Sequence, residues 1–311
     1  MKCVITGALG HIGSSFIRQL PNFFEDVQIV MIDNLSTQRY PSLFNLPLGA
    51  TYEFIEKNVQ EVSWQLVLKD VDVVIHLAGT TDAAGTADKP DLLFRNNFES
   101  TKIVAQACLA HKVPLIFPSS TSVYGSQDYL VDETCLELKP QSPYAACKLQ
   151  EEAFLQKMHK EQGLKVVLFR LGTIYGISQG MRFHTAVNKF CWQAVMKQPL
   201  TIWKTALYQR RPYLFLDDAV RVFVWAIKQS LYDGQIYNIV TGNHTVQEVI
   251  LAIGDHIDQI SIKYVEHVIM NQLSYEIASE KIKKTGFAFF GSLQQGIEDT
   301  IKILRHAQGQ G

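Results

Sequence analysis

The sequence carries almost no excess charge: 29 Lys and Arg face 30 Asp and Glu, a formal net charge of −1. No global field is available to gather nucleic acid or an anionic membrane, so an anionic ligand has to be held by local groups. Cysteine is scarce. Cys3, Cys108, Cys135, Cys147 and Cys191 form no C-x-x-C pair, and 311 residues are enough to bury a core without disulfide staples. Such usage fits reduced, structural thiols in a cytoplasmic protein. The histidines form no H-x-x-x-H spacing and no mixed Cys/His cluster, so no metal is expected. Long apolar runs are missing too. None approaches the ~18–20 residues of a membrane span, and the stretch before Gly7 is too short for a signal-peptide core. The expectation is a cytosolic chain with no nucleic-acid or membrane partner.

What is present is globular, with 47% hydrophobic and 19% charged residues. Strand-length apolar runs occur at Cys3–Thr6, Gln28–Ile32, Val71–Leu77, Leu115–Ser119 and Lys165–Leu171. Between them lie amphipathic stretches at His11–Leu20, Asp91–His111 and Pro143–Gln162. This alternation predicts an α/β fold, a doubly wound parallel sheet covered on both faces. After Gly172 the rhythm breaks. The spacing predicts a helix over Arg182–Gln198, a strand Tyr213–Leu216, a helix Asp217–Ser230, a strand Gln235–Val240, a helix near Val246–Asp255 and a polar, frayed tail at 306–311. Residues 1–172 read as a dinucleotide-binding domain, with elements near 213–240 returning to it. Residues 173–311 read mainly as a smaller, substrate-binding α/β lobe.

The first strand runs into Gly7-Ala8-Leu9-Gly10-His11-Ile12-Gly13 and then a helix. Glycines at this spacing allow a sharp turn, a close approach to a pyrophosphate and tight helix–strand packing, while the helix N-terminus faces the phosphate charge. Asp33 closes the second strand. A carboxylate there accepts from both adenosine ribose hydroxyls and repels a 2′-phosphate, which favours NAD over NADP. Arg39 is read as a solvated loop residue. Ser119-Ser120-Thr121-Ser122 ends a strand at the edge where open α/β sheets bind ligands, and Tyr144-Ala145-Ala146-Cys147-Lys148 opens a helix. The i,i+4 spacing sets the Tyr144 hydroxyl and the Lys148 ammonium on one helix face, where the ammonium and a cationic nicotinamide lower the Tyr144 pKa. Tyr144 then takes a hydroxyl proton while the carbon beneath gives up hydride. Ser120 hydrogen-bonds the same oxygen, and Lys148 also holds the nicotinamide ribose.

These segments, with Asp33-Asn34, His76-Leu77-Ala78-Gly79, Asn97, Arg170–Gly176 and Arg211–Asp218, resemble the NAD-dependent epimerase/dehydratase group of extended short-chain dehydrogenases over residues 1–240. The resemblance implies a Rossmann fold, a tightly held NAD, a nucleoside-diphosphate (NDP) sugar substrate, and a homodimer packed through helices 91–111 and 143–162. It assigns Ser120, Tyr144 and Lys148 as the triad. To the cofactor it assigns Gly7, Gly10, His11, Ile12, Gly13, Asp33, Asn34, Leu77, Ala78, Gly79, Asn97, Tyr144 and Lys148, with Asn58 and Val59 at the adenine. Thr121, Thr173 and Arg211 fall at substrate positions, Arg211 at the diphosphate. Asn58 stands where the family usually has Asp, Ser100 where Gly is common, Thr173 where many epimerases have Asn, and Ile177 where Pro is common. These departures bear on the sugar more than on the reaction. Dehydratases and decarboxylases of the family place an acid beside the catalytic hydroxyl, whereas Thr121 and Ser122 stand there in this chain. The expectation is therefore an NDP-sugar 4-epimerase, with an NDP-4-ketosugar reductase and a non-catalytic cofactor-binding regulator as alternatives. Met181, Arg182, Trp203 and Tyr208 are candidates for contacting the sugar.

Overall fold

The structure, a computed structural model, describes residues 1–81, 90–265 and 274–307. Its centre is a seven-stranded parallel sheet: β1 (Lys2–Thr6), β2 (Val27–Asp33), β3 (Ala50–Glu56), β4 (Val73–His76), β5 (Leu115–Ser120), β6 (Val166–Leu171) and β7 (Asp233–Ile239). The spatial order is β7-β6-β5-β4-β1-β2-β3. This is the doubly wound Rossmann arrangement, whose order reverses between β1 and β4. Both faces are buried because alternate strand residues supply separate cores. Cys3 and Ile5 pack with Phe16, Phe169 and Phe223 on one side. Val4, Val74 and Phe117 pack with Val104, Leu155 and Met158 on the other.

Helices α1 (His11–Gln19), α2 (Pro90–His111), α3 (Pro143–Gln162) and α5 (Leu216–Gln229) cover the sheet, while α4 (Ala186–Val195), α6 (Val246–Gly254) and α7 (Leu293–Ala307) pack together in the second lobe. The bounds of α3 follow from its flanks. Ser142 Oγ accepts from Ala145 N at 3.1 Å, Pro143 takes the first helical position, and Gly163 closes the helix with φ of 77°. The β3 strand was not anticipated from the sequence. It is a half-exposed edge strand pairing only with β2. The helix expected over Arg182–Gln198 forms only as α4, because 182–185 run along the ligand cleft described below. Asn188 on α4 anchors that run, donating from Nδ2 to Arg182 O at 3.2 Å.

A second lobe carries its own core of Tyr175, Phe190, Leu200, Tyr213, Val249, Ile253 and Ile297. Its three-stranded sheet joins Gly242–Thr245, Arg210–Phe215 and Thr173–Tyr175. Strand Arg210–Phe215 belongs to this lobe, while α5 and β7 lie on the central sheet. At the C-terminus α7 continues through His306 and Ala307, where a frayed tail was expected; 308–311 lie outside the described residues.

Candidate active site

Segments leaving the carboxyl ends of β1, β2, β4, β5 and β6 wall one cleft at the reversal of strand order. One part, about 470 Å³, is lined by Asp33, Asn34, Asn58, Val59, Ser100 and Arg39. The other, about 270 Å³, is lined by His11, Ile12, Gly13, His76, Asn97, Ser120, Tyr144, Lys148 and Thr173. Gly7, Gly10, Leu77, Ala78, Gly79, Arg182 and His184 border both.

The glycine turn is built by close approach. Gly7 has φ of +64°, and a Cβ there would stand 2.6 Å from Ala78 N. A Cβ on Gly13 would stand 2.6 Å from Ala8 O, so α1 sits against β1 only because that atom is absent. Gly10 differs: its nearest neighbours would be Gly7 O at 3.2 Å and Arg39 Nη1 at 3.9 Å, which leaves its outer side open to the cleft. His11 opens α1 with Nδ1 2.9 Å from Ser178 Oγ and a buried Nε2 that has no hydrogen-bond partner among the described residues. Burial, then the Arg182 and Arg39 charges, push its pKa down to about 3, so the ring is neutral.

Asp33 is held from both sides, Oδ2 accepting from Leu9 N at 3.1 Å and Oδ1 from Leu35 N at 3.0 Å. Arg39 is not the solvated loop residue expected. It is half-buried, donates to Gly180 O at 2.9 Å and lines the cleft close to Asp33 and Arg182. Asn58 is tied to Asn34 at 2.8 Å and to Glu61, and Val59 is buried behind it. Asn97 spends its amide on the loop after β4, accepting from Thr80 N at 2.8 Å and donating to Thr80 O at 2.9 Å.

In the smaller part, Ser120 Oγ accepts from Ser122 N at 3.2 Å and from Ser122 Oγ at 2.9 Å, so its own proton remains to be donated into the cleft. Lys148 is buried, its Nζ 6.0 Å from the Tyr144 ring centroid, 4.4 Å from that of Phe117 and 3.1 Å from Glu151 Oε2. Burial pulls its pKa down, but Glu151 and Tyr144 more than offset this and leave it above the ordinary lysine value. Two effects oppose each other at Tyr144. Burial raises its pKa, and Glu151 opposes the downward pull of Lys148.

Behind these groups Glu152 accepts from Arg170 Nε at 2.9 Å, from Arg170 Nη2 at 2.7 Å and from Ser119 Oγ at 2.5 Å, tying α3 to β5 and β6. Thr121 and Arg211 do not line the cleft, unlike Thr173. Thr121 is 2% exposed and turns to Leu171 O and Tyr275 Oη, each at 3.3 Å. Arg211 is half-buried in the second lobe and acts on that same Tyr275, whose hydroxyl is raised by burial. Met181, Trp203 and Tyr208 also lie off the lining; Arg182 is on it, hydrogen-bonded to Thr81. Arg182, a candidate from the sequence, is on the lining, whereas Arg39 and His184, also on it, and Glu151 behind Lys148 were not marked as site residues by motif or spacing. Among the described residues no group of acidic, histidine or cysteine side chains is arranged to hold a metal.

A family model described as the NAD dependent epimerase/dehydratase family matches residues 3–240. An uncharacterized UDP-glucose epimerase of Bacillus subtilis, YtcB, is 28% identical over 249 residues, covering 77% of this chain and 76% of that protein. A trifunctional UDP-glucose 4,6-dehydratase/UDP-4-keto-6-deoxy-D-glucose 3,5-epimerase/UDP-4-keto-L-rhamnose-reductase of Arabidopsis thaliana is 24% identical over 96% of this chain, which spans only 46% of that relative. Among solved structures, UDP-glucuronic acid 4-epimerase from Bacillus cereus, in complex with UDP-glucuronic acid and NAD, superposes with a TM-score of 0.88 at 26% identity, covering 99% of this chain and 100% of that one.

Proposed function

The chain belongs to the NAD dependent epimerase/dehydratase family, and from that premise we propose that it is an NAD-dependent 4-epimerase of an NDP-sugar. The observation that carries the reaction type is the chemistry of the smaller part of the cleft: among the described residues no carboxylate lines it. Elimination of water needs an added acid–base group beside the catalytic hydroxyl, whereas epimerisation needs one proton acceptor and an oxygen-binding donor.

The larger part and the glycine turn fit NAD. The open side of Gly10, the N-terminus of α1 and the orphaned His11 Nε2 offer a cradle for a diphosphate, with Arg39 and Arg182 as cations beside it. Asp33 keeps lone pairs for ribose hydroxyls, and Asn34, Asn58 and Val59 edge the adenine end. When bound, NAD supplies the acceptor and later the donor of the hydride at sugar C4. Tyr144 takes the proton from the sugar 4-hydroxyl, and Ser120 donates a hydrogen bond to the same oxygen. The Lys148 ammonium stabilises the tyrosinate form of Tyr144 that accepts this proton. Rotation of the 4-keto sugar within the cleft presents its other face, and Tyr144 returns the proton. Thr173 borders the sugar; Arg211 is proposed to reach the substrate's diphosphate from the second lobe, and Thr121 to reach the substrate from the turn after β5. The same reading makes the chain a homodimer through α2 and α3. It also places the chain in the cytosol, in keeping with five free cysteines and no membrane-spanning helix among the described residues.

The test is proton NMR of the protein with catalytic NAD and a panel of NDP-sugars. The expected outcome is a new anomeric signal from a 4-epimer without net NADH. In Tyr144→Phe turnover should fall by about 10²–10⁴-fold while NAD binding persists. Stoichiometric NADH consumption with a 4-keto sugar would instead identify a reductase, and NAD binding without turnover of any sugar a regulator.

A further inference from the structure

The catalytic lysine does not stand alone in its wall. One turn further along α3, Glu151 is 1% exposed, and its Oε2 lies 3.1 Å from Lys148 Nζ. Its other oxygen accepts from Thr101 Oγ1 of α2 at 2.5 Å. Lys148 lines the cleft and Glu151 does not, so the carboxylate grips the ammonium from the protein side. The Phe117 ring, in the middle of β5 and 4.4 Å from Nζ, holds it from the sheet side. Two opposite charges this deep act on their surroundings as a dipole, much weaker at a distance than the lysine alone.

We propose that Glu151 is a positioning residue that fixes the Lys148 ammonium and cancels much of its pull on Tyr144, so that Tyr144 stays protonated until the positive charge of oxidised cofactor arrives. This rests on the reading of Tyr144 and Lys148 given above and adds a control to it: base strength becomes tied to the presence of NAD⁺. Other groups facing the site leave room for the effect. On α3, burial and then Glu151 push the Cys147 thiol up to about 12, so it is uncharged. At the end of β4, burial followed by Lys148 holds His76 down at about 3, so it is neutral as well. Thr101 contributes a neutral hydroxyl. Arg182 is the remaining cation acting on Tyr144, and it favours tyrosinate. Within the protein, burial and Glu151 raise the Tyr144 pKa against the pull of Lys148, in agreement with this balance.

The experiment is an ultraviolet titration of tyrosinate, with Tyr144→Phe subtracted to remove the other tyrosines, on wild type and Glu151→Gln, each with and without NAD. No sugar is needed. Between pH 6 and 10, wild type should show Tyr144 tyrosinate with NAD and none without it. In Glu151→Gln the midpoint should fall by about one pH unit in the NAD complex, a tenfold rise in tyrosinate at fixed pH, while Glu151→Asp, which keeps the charge, should stay near wild type. An unchanged or raised midpoint in Glu151→Gln overturns the proposal. Should that variant fail to fold around an unpaired ammonium, Lys148→Met/Glu151→Gln removes both charges. A midpoint rise well under one unit supports the cancelled pair, and a rise of about two units or more overturns it. Because the titration is read without substrate, a chain that titrates as expected yet epimerises nothing would sink the functional reading and leave this one standing.

Discussion

At the residue scale, buried neutral histidines couple the fold to pH. His76 is 3% exposed, with Nδ1 2.7 Å from Thr6 Oγ1, and burial followed by the Lys148 charge holds its pKa near 3. In the unfolded chain the same ring titrates at about 6.5. The folded state therefore binds fewer protons below that pH, so the stability contribution is complete above ~6.5 and is lost as pH falls toward ~3, at up to roughly 1.4 kcal/mol per pH unit. His11, held down to about 3 by burial and then by Arg182 and Arg39, adds a second contribution of the same sign. Urea midpoints measured from pH 7.5 to 5 should fall, and less steeply in His76→Gln. A midpoint that stays level across that range would contradict the neutral, enclosed ring. Residues of the cleft were legible in the sequence where their roles are local. Gly7, Gly10 and Gly13 share one turn, and Tyr144 and Lys148 share one helix face. Arg39 was misread because what draws it inward is Gly180, 141 residues away. Glu151 was passed over because its burial depends on α2 packing across it.

At the element scale, strands buried on both faces announced themselves as apolar runs, whereas β3 did not. Its sequence, ATYEFIE, alternates half-buried and exposed residues at the sheet edge, and that pattern is weak without the neighbour that pairs it. The truncated start of α4 has a similar origin, since Arg182 and Thr185 are drawn to the cleft by tertiary contacts that periodicity cannot register. A buried ion pair helps fix the mutual placement of the elements that carry the proposed catalytic groups. Arg170 and Glu152, 3% and 1% exposed, join β6 to α3 in a two-pronged contact, and Ser119 beside Ser120 donates to the same carboxylate. Arg170→Met leaves that carboxylate buried and unpaired, with an expected loss of about 3–5 kcal/mol in chemical denaturation. Arg170→Met/Glu152→Leu should recover a large part of the loss, because neither charge then remains in the interior. If the double variant is as unstable as the sum of the singles, the pair is not the unit described.

At the scale of the whole molecule, the two helices proposed for self-association present apolar surface that the described residues leave uncovered. Leu92 and Phe94 on α2 are 63% and 37% exposed. Phe94 stacks on Phe98 at 4.9 Å, and Phe98 meets Phe154 of α3 edge-on at 5.5 Å, so the aromatics form a ladder running from one helix to the other. A two-fold axis beside this ladder would set α2 and α3 against their copies as a four-helix bundle and bury the same patch on both subunits. Tyr144, Lys148 and Glu151 lie on α3, and Thr101 on α2, so the bundle would brace the helix pair that supports the proposed catalytic groups. Light scattering at micromolar concentration should accordingly give a dimer for the wild type. Phe94→Asp places a charge in the patch at a position whose side chain adds little to the monomer's core, and it should give a folded monomer with unchanged far-ultraviolet circular dichroism. A wild type that runs as a monomer, or a Phe94→Asp variant that stays dimeric, would move the interface elsewhere and leave the exposed ladder without a role. If the monomeric variant also loses turnover while still binding NAD, the bundle is part of what holds α3 and its proposed catalytic groups in register with β5.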